Sequence, residues 1–124
     1  MTAPATGTGT RAAVRTMLRM RTREGCEAQF EAAWRRAAAE IARVPGNLQQ
    51  ELTRDADDPR TFLITSDWTD RAAVDEFGRS SARETLTEAL RELREDASRS
   101  TYEVLATVPA EQVPGERVPG EGTP

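Results

Sequence analysis

Two changes of hydrophobic period, both in the same direction, constrain this chain more than any other feature of its sequence. From Val14 to Arg21 the side chains alternate. Val14, Thr16, Leu18 and Met20 fall on one face, and Arg15, Met17, Arg19 and Arg21 on the other, which is the period of a strand. From Glu24 to Val44 the period lengthens: Phe30, Trp34, Ala37, Ile41 and Val44 step by four, three, four and three along one helical stripe. Pro45 and Gly46 then stop the helix, because proline cannot continue it and glycine is free to turn.

The same sequence of events follows a second time. Leu48 to Arg54 reads as a strand, "DADDP" as a hairpin connection and Thr61 to Trp68 as the partner strand. Thr69 or Asp70 caps a short helix through Phe77, "GRSS" breaks it, and Ser80 or Ser81 caps a longer one. The stripe of that longer helix is Leu86, Leu90, Leu93 and Ala97, with "REDASR" as its solvated face, and Tyr102 to Val108 alternates as a closing strand. The expected order is β-α-β-β-α-β, an α+β, ferredoxin-like unit whose four antiparallel strands carry helices on one face.

The expected domain runs over 13–109, a length suited to one modest core. It is flanked by 1–12, rich in Thr, Gly and Pro, and by 110–124, which repeats Val-Pro-Gly-Glu. Both flanks have the composition of disordered tails.

Helices on one face leave the other face of the sheet to water or to a partner. The helix side is expected to collect Val14, Thr16, Leu18, Met20, Leu48, Gln50, Leu52, Phe62, Ile64, Ser66, Trp68, Tyr102, Val104, Ala106 and Val108. The far side collects Met17, Leu63 and Leu105 among Arg15, Arg19, Glu51, Thr65, Asp67 and Glu103. An apolar centre ringed by charges of both signs is the pattern of a two-fold interface, and predicts a homodimer.

Composition removes whole classes of chemistry. The chain of 124 residues has no histidine, so Ser-His-Asp and Cys-His catalysis and the usual histidine-based zinc and haem sites are out. The net charge of −4 argues against a nucleic-acid partner. No run is long and apolar enough to span a membrane, and no secretory signal pattern opens the chain, so the expectation is cytoplasmic. Cys26 is the single cysteine and reads as a small residue at the start of a helix.

On the apolar, helix-facing side the polar exceptions are Thr16, Gln50, Ser66, Tyr102 and the indole N–H of Trp68. A few convergent polar groups on an apolar background are the usual form of a small-molecule pocket. Phe30, Trp34, Phe62 and Phe77 are available as flat walls, and Asn47 offers an amide in the turn before the second strand.

Four stretches in this order, "RMRTREGCEAQFEAAW", "VPGNLQQEL", "ADDPRTFLITSDWTD" and "AVDEFGRS", resemble the antibiotic biosynthesis monooxygenase family, whose members are dimeric α/β barrels. The resemblance spans roughly Val14 to Val108. It implies a cofactor-independent monooxygenase that oxidises a polycyclic aromatic polyketide, an anthrone-type phenol, to a quinone with molecular oxygen and no metal. It also implies a site between sheet and helices. There Trp68, Ser66 and Gln50 would act on the substrate, and Thr16, Phe30, Trp34, Asn47, Phe62, Ile64, Phe77 and Tyr102 would bind it. The family pairs an asparagine with a tryptophan four residues later; Trp68 matches the second, and Ile64 stands at the first. The alternatives are a polyketide cyclase or aromatase of the same fold and a non-catalytic dimeric protein that binds a pathway intermediate.

Overall fold

A computed structural model describes residues 11–111. Its elements are β1 (Val14–Thr22), α1 (Glu27–Ile41), β2 (Asn47–Arg54), β3 (Thr61–Trp68), α2 (Arg71–Gly78), α3 (Ser81–Arg91) and β4 (Arg94–Glu103). The sheet is antiparallel with order β2-β3-β1-β4. The expected ferredoxin-like order is therefore present, with the second crossover made of two helices. Residues 1–10 and 112–124, which hold most of the expected tails, lie outside the described residues.

The core forms where the two periods meet. Phe30, Ala33, Ala37 and Ile41 of α1 are buried, as are Phe62, Ile64 and Trp68 of β3 and Leu86 and Leu90 of α3. Phe30 stacks on Phe62 with ring centroids 4.8 Å apart, a geometry aromatic pairs prefer. Caps fall where small polar residues offer them. Asp70 accepts from the Ala73 N–H at 2.8 Å, and Ser80 Oγ accepts from the Arg83 N–H at 3.2 Å. Cys26 sits at the N-cap of α1 and makes no capping bond through its side chain.

The fourth strand corrects the sequence reading. The helix expected to carry Ala97 ends at Arg91, and "REDASR" lies in β4 rather than on a helix face. Pairing with the free edge of β1 prevails over helical spacing, because tertiary hydrogen bonding overrides a weak local preference. Arg23 fixes the turn, its backbone N–H donating to Leu93 O at 2.9 Å and its Nε to Glu92 O at 3.0 Å.

The shift in strand position also reassigns faces. Tyr102 pairs with Arg15 and Glu103 with Val14, so Tyr102 lies on the far side of the sheet and Glu103 on the helix side, the reverse of expectation. Residues 104–108 follow the strand, so Leu105 lies beyond the far face of the sheet it was expected to join, and Val108, expected under the helices, is exposed. At the start of β2 an irregular register sets Asn47 opposite Trp68 and leaves Leu48 exposed instead of buried. A second irregularity, between Arg21 and Thr22, makes Arg94 the partner of Thr22 and Asp96 the partner of Arg21. Glu95 is the extra residue of a bulge.

On the far side Arg15 forks onto Asp67, Nε to Oδ1 at 2.7 Å and Nη2 to Oδ2 at 3.3 Å. At one end of the sheet Glu95 accepts from Arg60 at 2.7 Å and Arg21 at 3.1 Å. Hydrogen bonding from the Thr61 hydroxyl, then from the Arg60 N–H and Arg21, holds the half-buried Asp58 carboxyl below its ordinary pKa.

Gly46 is the tightest backbone position. Its φ is +90°, its carbonyl accepts from the Thr69 N–H at 2.9 Å, and a Cβ there would collide with the Ala73 side chain. Gly46→Ala is expected to lower stability by about 1–3 kcal/mol, read as an earlier urea midpoint. Gly25, also at positive φ (85°) but with open space around it, should be the milder of the two alanine substitutions.

Candidate functional site

A cavity of about 230 Å³ lies between the helices and the β1–β4 half of the sheet. Its floor is Thr16, Leu18 and Met20 of β1, and its wall is Val74 and Phe77 of α2. Arg83, Leu86 and Thr87 of α3 close a second side, and Arg94, Ala97, Ser98 and Arg99 of β4 a third. Strand alternation explains the floor, because residues two apart on β1 share the helix-facing side.

Trp68 supports this cavity from behind. It is 1% exposed, its ring centroid is 5.1 Å from that of Phe77, and its Nε1 donates to Thr16 Oγ1 at 3.1 Å. The register makes the bond possible: Val14 pairs with Trp68 and Thr16 with Ser66, so Trp68 and Thr16 are diagonal neighbours on one face. The expected row ending on an indole is thus a structural brace, and its N–H is already engaged. A hydroxyl that accepts from the indole keeps its own proton to donate, and Thr16 is the residue of the pair that borders the cavity.

The remaining expected site residues do not join Thr16 and Phe77 there. Trp34, Gln50 and Phe62 border a separate cleft of about 380 Å³ beside α1 and β2, along with Glu31 and Arg35. Gln50 Nε2 donates to Ala38 O at 2.9 Å, while Gln50 Oε1 and Trp34 Nε1 are buried without a partner. Phe30, Ile64 and Ser66 are buried in the core, Ile64 between Leu18 and Leu52 on the neighbouring strands. Asn47 faces Trp68 across the strands, and its buried Nδ2 has no partner. Tyr102 is on the other face of the sheet. The single expected pocket is therefore not formed: Thr16 and Phe77 border one cavity, Trp34, Gln50 and Phe62 another, and the rest border neither, because α1 packs down over β2 and β3 through Phe30 on Phe62 and Ala38 on Gln50.

Sequence reasoning missed Arg83, Arg94 and Arg99. Arg94 and Arg99 both fall in "REDASR" and read as the solvent face of a helix; only the strand pairing sets them on the helix side of the sheet, Arg94 half-buried and Arg99 exposed at the cavity's edge. Among the described residues no group of three or more His, Cys, Asp or Glu side chains is placed to hold a metal ion, and no helix is long and apolar enough to cross a membrane.

Helices on one side of a βαββαβ sheet, with a cavity beneath them, define a small ferredoxin-like α+β class. Residues 13–89 match the family model described as antibiotic biosynthesis monooxygenase. This chain belongs to that family, and its fold is the ferredoxin-like unit of the family's structures. It is similar to SnoaB of Streptomyces nogalater, a cofactor-independent oxygenase. An asparagine-to-alanine variant of SnoaB superposes with a TM-score of 0.72 at 26% identity, covering 81% of this chain and 100% of that one. A second SnoaB structure gives a TM-score of 0.68 at 27% identity, covering 80% and 100%. SchA of Streptomyces halstedii is 34% identical over 55 residues, which is 44% of this chain but 14% of SchA.

The Thr16–Trp68 bond makes a direct prediction. Thr16→Val removes the acceptor and leaves a buried indole N–H unpaired, which should cost about 1–3 kcal/mol in equilibrium denaturation. Thr16→Ser keeps the acceptor and should recover most of that loss. Equal stability of Thr16→Val and wild type would show that the bond does not contribute.

Proposed function

We propose that this protein is a cofactor-independent monooxygenase that converts an anthrone-type polycyclic aromatic polyketide to a quinone with molecular oxygen. The observation that carries this reading is the cavity between sheet and helices, with Leu18, Met20 and a positioned Thr16 hydroxyl on its floor and a phenylalanine ring on its wall. Membership of the monooxygenase family and the similarity to SnoaB support it.

The reaction asks little of the protein. The activated methylene of the substrate loses a proton, and the resulting anion gives one electron to oxygen. Recombination of the radical with superoxide, with one proton taken up, forms a hydroperoxide. Loss of water then leaves the carbonyl, so one oxygen atom enters the product and the other enters water. The substrate supplies the electrons; the protein supplies orientation, a dry site and donors aimed at the developing oxyanion. In this reading Thr16 is the donor and Phe77 the stacking wall. Trp68 is a positioning residue that holds the Thr16 hydroxyl.

Buried Ile64, at the position where the family carries asparagine, favours a second reading as a polyketide cyclase or aromatase. That chemistry closes a ring and loses water without consuming oxygen. The same two readings separate in an oxygen electrode with an anthrone substrate. One oxygen consumed per quinone formed is the expected result. Trp68→Phe should lower kcat more than it raises KM, because it frees the Thr16 hydroxyl to rotate. Product without oxygen uptake would transfer the assignment to the cyclase, and no turnover of either kind would leave a binding protein.

The functional unit is proposed to be a homodimer joined through the far side of the sheet. Half-buried Met17 and Leu63 sit there beside exposed Tyr102 and the Arg15–Asp67 pair, an apolar centre with complementary charge. Leu63→Arg is expected to shift the protein to monomer in sedimentation, since an unpaired charge in a desolvated interface is costly. A wild-type protein that sediments as a monomer at micromolar concentration would overturn the dimer.

A further inference from the structure

Three guanidinium groups border the cavity, and among the described residues none of them has a carboxylate partner. Arg83 comes from α3, and Arg94 and Arg99 come from β4. Seven other arginines, Arg15, Arg21, Arg35, Arg60, Arg71, Arg79 and Arg91, sit within salt-bridge distance of Asp or Glu; the remaining described arginines that do not are exposed, whereas Arg83 and Arg94 are half-buried and Arg99 lies exposed at the cavity's edge. Among the described residues, no acidic side chain borders the cavity. Arg94 Nε is moreover buried and has no hydrogen-bond partner. A buried, unpartnered guanidinium donor is costly, and it is the group a bound anion would satisfy.

The arrangement depends on the bulge. Arg94 and Arg99 are five residues apart, so in a regular strand they would point to opposite faces. With Glu95 extruded, Arg94 pairs with Thr22 and Arg99 with Leu18, both on the helix side. The extruded Glu95 turns the other way and is taken up by Arg21 and Arg60. The bulge thus removes a carboxylate from the cavity and brings an arginine into it.

We propose that the cavity selects a planar aromatic ligand bound as an anion, with Arg83, Arg94 and Arg99 as anion-anchoring residues above the apolar floor. Guanidinium is the side chain best shaped to fork onto a planar oxyanion and also to lie against an aromatic face. The cavity volume of about 230 Å³ lies just below the usual range of ligand pockets and limits the ligand to a compact fused-ring acid. The anionic oxygen has two sources, a carboxylate substituent or a ring hydroxyl that ionises on binding. This inference rests on the reading of the cavity as the substrate site, and it deepens that reading. An arginine cluster that stabilises the substrate anion would promote deprotonation without a dedicated general base.

Binding alone tests it, independently of oxygen chemistry. By calorimetry with the full chain, anthraquinone-2-carboxylate is expected to bind at least about tenfold more tightly than its neutral methyl ester if the source is a carboxylate. Alizarin is expected to bind with its visible spectrum shifted toward the phenolate at a pH where free alizarin is neutral, if the source is a ring hydroxyl. Either result supports the proposal and identifies the source. Arg94→Gln and Arg83→Gln should each reduce that preference, and the double variant should abolish it while the methyl ester binds as before. Equal binding of acid and ester together with an unshifted alizarin spectrum would overturn the proposal in wild type, with no variant needed. A preference that survives in a folded double variant would overturn it as well. Oxygen uptake on a neutral anthrone with no anion preference would sink this inference and leave the oxygenase standing.

Discussion

The pairing of β1 on both of its edges is the constraint from which the rest follows. β1 meets β3 on one side and β4 on the other, so its register is set twice. One register sets Thr16 diagonal to Trp68 and allows the indole bond. The other, through its bulge, turns Arg94 and Arg99 toward the helices. The floor, the brace and the charged rim of the cavity are consequences of one strand's two partners. Since side chains alternate with a period of two, a slip of one residue on either edge would exchange the cavity's contents for those of the far side.

Much of this was legible in the sequence, and the parts that were not share a cause. β1 and β3 were readable because Val14, Leu18 and Met20 in one, and Phe62, Ile64 and Trp68 in the other, keep a period of two, and the expected bounds of Thr61 to Trp68 are the observed ones. The caps at Asp70 and Ser80 were readable because short polar side chains announce helix starts. β4 was not. Leu86, Leu90, Leu93 and Ala97 keep a helical spacing across the boundary, and a polar edge strand has no apolar alternation of its own to oppose it. Its placement comes from β1, far away in sequence.

The error in β4 spread to the site. Tyr102 was expected inside because the closing strand was started too late, whereas the pairing with Arg15 sets it outside. The arginines were passed over for the same reason, since charges on a supposed helix face carry no information about a cavity. Thr16, Trp68 and Phe77 were recoverable because each lies on an element whose bounds the sequence did specify. Gln50 and Phe62 are helix-facing as expected and Trp34 lies on the stripe of α1, but facing the helices does not decide which side of α1 a residue opens onto.

The charged character of β4 has a consequence for solubility. With strand order β2-β3-β1-β4, one side of β4 is an open row of backbone donors and acceptors. Such an edge invites another chain to add to the sheet unless something discourages it. Arg94, Glu95, Asp96 and Arg99, together with the bulge, supply that deterrent. The arginines are therefore under two demands at once. Recasting the cavity for an uncharged ligand by trading them for leucine would also remove the guard on the edge, and the altered protein would be prone to assemble into fibres.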